Sequence, residues 1–116
     1  MTKLSFILFA LLLSFLSFTA IASEGPMTLP ASANSSAAMH NNAGIKEWNK
    51  GDYKSALMHF SEASKIEASG ETHFNEAICL DKLGKHGKAS MHFGAAKKNA
   101  HGNKEILNSK ILNAHL

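Results

Sequence analysis

Arginine is absent from this 116-residue chain, which removes the planar, bidentate donor on which most recognition of phosphates and bases relies. Nucleic-acid binding is therefore not expected. Cysteine occurs once, at Cys79, so no disulfide can form within the chain. Two roles remain for that thiol, a small buried apolar residue or an intermolecular disulfide in an oxidising compartment. Proline is confined to Pro26 and Pro30, and β-branched residues are sparse beyond them. Nothing after the second proline therefore interrupts a helix through a missing amide. Carboxylates are scattered without a close pair, and no base is placed beside a nucleophile, so catalysis is not expected and no cofactor is implied. Gly51, Gly70, Gly84 and Gly102 stand where helices end and do not form a phosphate loop.

Charge of one sign is scarce in each half. Residues 23–81 carry four lysines against eight carboxylates, whereas residues 82–116 carry seven lysines against Glu105 alone. The chain begins with Lys3 and the apolar run LSFILFALLLSFLSFTAIA, closed by Ala20-Ile21-Ala22. Small residues at an A-x-A end, serines within the run and no basic stop-transfer cluster mark residues 1–22 as a secretory signal peptide, with a retained anchor as the competing reading. Export to the periplasm or the secreted pool is the expected address, with no integral membrane span after cleavage. Residues 23–36, SEGPMTLPASANSS, have no apolar period and read as a flexible leader.

Helical periodicity governs the rest. The expected helices run from Ala37 to Lys50 with Ser35 or Ser36 as N-cap, from the Gly51-Asp52 turn to Ala68, from Glu71 to Leu83, from His86 to Ala100, and after Gly102. The last is expected to present Leu107, Ile111 and Ala114 on one side. The stretch GDYKSALMHFSEASK at Gly51–Lys65 returns as GKHGKASMHFGAAKK at Gly84–Lys98, a period of 33 residues. Such a period marks units that cannot bury their apolar faces alone. Ala56 and Ala63 allow two helices to approach, Phe60 fills the gap between them, and Gly44 and Ala77 supply the same closeness on the first helix of each pair.

These residues resemble the tetratricopeptide repeat. Gly44, Gly51-Asp52-Tyr53, Ala56, Phe60 and Ala63 are similar to one unit, and Asn75 to Gly84 with Ala89, Phe93 and Ala96 to a second. The sequence departs from the family pattern at His40, Ala68, Glu76 and His86-Gly87. The resemblance implies an all-α solenoid of two helix pairs, residues 37–69 and 70–102, followed by a capping helix over 103–116. It also implies a concave groove lined by the first helix of each pair. Carried over residue by residue, that groove is Asn41, Ile45, Trp48 and Asn49 with Phe74, Ile78, Asp81 and Lys82.

Asparagines can bond a ligand backbone, Lys82 can meet an acidic group, and Trp48 and Phe74 are anchor types. The same apolar residues could instead fill a core, or be covered by the leader or the last helix. The expected function is a non-catalytic protein-interaction module taking a peptide or partner helix, including one with an acidic segment. A homo-oligomerising envelope component is the alternative, and a histidine-dependent metal binder a more distant one. Among the seven histidines, His59 and His92 are repeat-equivalent but lie too far apart in sequence to ligate from one helix, so no metal site is expected from them.

Overall fold

The computed structural model describes residues 24–116, and the expected signal peptide lies outside the described residues. Among these residues six helices and no strands occur: α1 (Ser35–Asn49), α2 (Tyr53–Ile66), α3 (Gly70–Lys82), α4 (His86–Lys98), α5 (Lys104–Leu107) and α6 (Lys110–His115). They pack in pairs, α1 along α2 and α3 along α4. Helix α2 lies against α3, and the short α6 rests on α4.

Turn chemistry sets the pairing. Gly51 and Gly84 adopt φ of 79° and 77°, the left-handed conformation that closes a helix without a Cβ penalty. Asp52 then caps α2, its carboxylate accepting from the Ser55 amide at 3.0 Å. Its repeat-equivalent, Lys85, offers no side-chain cap to α4. Helix α1 begins at Ser35, two residues earlier than expected, because Asn34 is the cap, with Oδ1 accepting from the amides of Ser36 and Ala37. Ser69 and Thr72 form a reciprocal capping box that starts α3 at Gly70.

Packing follows the repeat. Ala56, Phe60, Ala63, Ala77, Ala89, Phe93 and Ala96 have no exposed surface. Burying a phenyl side chain stabilises by about 1.5–3 kcal/mol relative to leaving it in water, so Phe60, Phe74 and Phe93 dominate two small cores. One core joins Ala56 and Phe60 to Cys79 of α3. The other holds Phe74, Ile78 and Phe93 together with Ile106 and Leu112. Phe74 meets Phe93 edge to face, with ring centroids 5.8 Å apart.

The single last helix expected after Gly102 is two short ones, and its apolar face differs from the one read from the sequence. Ile106 and Leu112 are buried, whereas Leu107 is 40% exposed and Ala114 is exposed. Asn108 ends α5 and Ser109 caps α6, its hydroxyl accepting from the Leu112 amide at 3.1 Å. That break shifts the register between the two segments, so one 3.6-residue period cannot run across both.

Candidate functional site

Two asparagines meet where α1 and α3 face each other. Asn75 Nδ2 donates to Asn41 Oδ1 at 2.8 Å, and both side chains are fully buried. The other polar atoms of this pair grip the main chain of Met27. The Met27 amide donates to Asn75 Oδ1 at 2.7 Å, while the Met27 carbonyl accepts from Asn41 Nδ2 at 2.9 Å and from Asn75 Nδ2 at 2.8 Å. The main chain of one residue is thus read through donor and acceptor at once. Because a buried amide left without a partner costs about 1–3 kcal/mol, the pair demands an occupant of this chemistry.

That occupant is the segment read from the sequence as a flexible leader. Three residues before the clamped Met27, the Glu24 carboxylate accepts from the amides of Lys110 at 2.6 Å and Ile111 at 3.3 Å, and from the Ser109 hydroxyl. It thereby completes the N-terminus of α6, whose first amides have no partner within the helix. The Met27 side chain packs on the second core, as Trp48 does. Gly25 passes close to the indole, since a Cβ placed there would lie 3.8 Å from Trp48 Nε1.

The eight residues expected to line the groove divide into distinct groups. Asn41 bonds a main-chain carbonyl, but one that belongs to this chain. Phe74 and Ile78 are 0% and 1% exposed and belong to the core, because α4 and the α5–α6 segment cover them. Ile45 packs half-buried on the Phe60 core. Trp48 is half-buried and meets Tyr53 edge to face at 4.7 Å, and Lys82 Nζ sits 5.8 Å from the Tyr53 ring centroid. Asn49 is exposed. Asp81 is taken by two histidines, its Oδ1 lying 2.8 Å from both His86 Nδ1 and His115 Nε2. Burial alone would raise the Asp81 pKa, but the hydrogen bonds from His86 and His115 outweigh it and hold the carboxyl below its ordinary value.

Asn75 was missed as a site residue. It follows Asn41 by 34 residues, one more than the repeat period, and an amide in a helix carries no signal of its own. The histidines find their partners across each helix pair and not along a single helix. His40 stacks toward His59 with centroids 6.1 Å apart, and the repeat-equivalent His73 toward His92 at 5.3 Å.

No protein-family model matches the chain, and no curated protein or solved structure is significantly similar to it. No helix among the described residues is long and apolar enough to cross a membrane.

Proposed function

We propose that the chain is an exported, non-catalytic interaction module of two tetratricopeptide-like helix pairs stacked as a short solenoid, which holds an extended polypeptide segment against α1 and α3. The observation that carries this reading is the Asn41–Asn75 clamp on the main-chain amide and carbonyl of Met27. A main-chain grip is indifferent to side chains, so selectivity comes from what flanks it. The leader supplies a carboxylate, Glu24, and three residues later an apolar side chain, Met27, which suits a partner segment that is part acidic and part apolar. The basic half of the molecule favours the same partner. Export would leave this arrangement intact, because the docked segment begins at Glu24, after the proposed cut behind Ala22.

The test releases the leader in the full chain. Met27→Pro removes the amide that donates to Asn75. A labelled peptide copying Glu24–Pro30 is then expected to bind the variant with micromolar affinity, more weakly as salt rises, and to bind the wild-type chain less well. A helical variant that ignores the peptide contradicts the reading. Self-association is the second reading, favoured by Met39, Met58 and Met91, which are 64%, 59% and 75% exposed. Light scattering at two concentrations separates the two.

A further inference from the structure

Helices α3 and α4 bring together three side chains for which neither the fold nor the leader clamp has a use. His73 and Glu76 stand at i,i+3 on α3, and His92 faces them from α4. One donor atom from each of the three lies within 4.8 Å of the other two. His73 Nδ1 and His92 Nδ1 approach to 3.1 Å. Two nitrogens bound to one zinc-sized ion at about 2.0–2.1 Å in tetrahedral geometry stand about 3.3 Å apart, so this pair is already spaced for a shared ion.

Glu76 supplies a second and independent observation. It is 7% exposed, a burial that a carboxylate tolerates only with compensation. Its Oε2 is 3.4 Å from the Ser61 hydroxyl of α2 and 3.7 Å from His92 Nε2. Its Oε1 has no hydrogen-bond partner. A proton shared between the two rings would leave that oxygen unsatisfied, whereas a divalent cation among the three residues accounts for both the ring approach and the buried charge.

We propose that His73, Glu76 and His92 form a binding site for a borderline divalent transition-metal ion, zinc(II) or the more strongly held copper(II). Two imidazoles and a carboxylate are a ligand set these ions accept, and an i,i+3 pair on one helix with a third ligand from its neighbour is a spacing that helix pairs use for metals. Ser61 stands behind Glu76 as the hydroxyl that orients the carboxylate. Both rings are partly exposed, so the fourth position opens to solvent and takes water or a partner's side chain.

The first helix pair is an internal control. His40 and His59 occupy the equivalent places, but Ala43 stands where Glu76 would be, so the first pair offers two ligands and no charge. A second cluster, Asp81 with His86 and His115, is already satisfied by its own hydrogen bonds.

Zinc chloride is titrated into the full chain by calorimetry, with cobalt(II) absorption as a report on coordination. The expected result is one equivalent bound, a raised melting temperature, and affinity at least about tenfold weaker in Glu76→Gln and in His92→Gln. Those losses should come with unchanged helicity, while His59→Gln and His115→Gln bind as wild type. The isosteric glutamine keeps the buried volume, and the partly exposed His92 gives a second variant that need not disturb the core. Absence of binding at millimolar zinc overturns the proposal. So does wild-type affinity in folded Glu76→Gln and His92→Gln, or a loss confined to His115→Gln.

Discussion

The Cα of Gly44 lies so close to the Phe60 ring that a β-carbon there would stand 2.5 Å from Cε1. The two helices of the first pair are thus held at a separation that only glycine permits. Gly44→Ala is expected to destabilise by about 1–3 kcal/mol, as overpacking does, and Phe60→Ala by about 3–5 kcal/mol through the cavity it leaves. Introduced together they should cost less than the sum, because the methyl group occupies part of that cavity. Urea melts of the four proteins measure the coupling.

The start of α4 can be improved by copying α2. Asp52 caps α2, whereas Lys85 leaves α4 uncapped. Lys85→Asp is expected to stabilise by about 1 kcal/mol. A Cβ on Gly87 meets nothing within 4 Å, so Gly87→Ala should add about 0.5–1 kcal/mol. The same melts read both changes.

Asp81 ties α3 to α6 through His115 and to the start of α4 through His86. Its folded pKa is lowered, since the hydrogen bonds from the two histidines overcome the opposing effect of burial. A depressed carboxyl pKa contributes stability above the unfolded value of about 3.9 and loses it as pH falls through the folded value. Asp81→Asn is therefore expected to be less stable than wild type at neutral pH and to converge with it as pH falls below that window. Melts taken from neutral pH downward check the convergence.

Cys79 is fully enclosed beside Ala56 and Phe60. Burial, reinforced by the Glu76 charge, pushes its thiol up to about 12. Reaction with a thiol-specific reagent at mildly alkaline pH is expected only at the rate of unfolding, with full reactivity in denaturant. Rapid labelling of the native protein would contradict this packing.

The helix pairs are legible in the sequence because their packing is local and repeated. Ala56 and Ala89, Phe60 and Phe93, and Ala63 and Ala96 each mark the same buried place twice. The end of the chain is less legible. The register of α6 depends on Glu24, 85 residues from Ser109, and no period in the last fourteen residues carries that information. Asn41 is recognisable as a group able to hold a backbone. Its partner Asn75 and its occupant Met27 are not, because bonds to main-chain atoms impose no pattern on the side chains they hold. The His73–His92 approach spans 19 residues across the α3–α4 turn, so a search along single helices overlooks it. A carboxylate at position 76, directly before the apolar run Ala77–Leu80 of α3, is the visible sign.

Amide hydrogen exchange at Met27 tests the leader clamp most directly. This amide, in a segment without helix or strand, is expected to be protected because it donates to the buried Asn75, whereas the amide of the exposed Thr28 exchanges freely. Asn75→Ala should abolish the Met27 protection while α1 to α4 remain helical. A Met27 amide that exchanges in the wild-type protein as fast as in an unstructured peptide would contradict the clamp and the interaction role proposed from it.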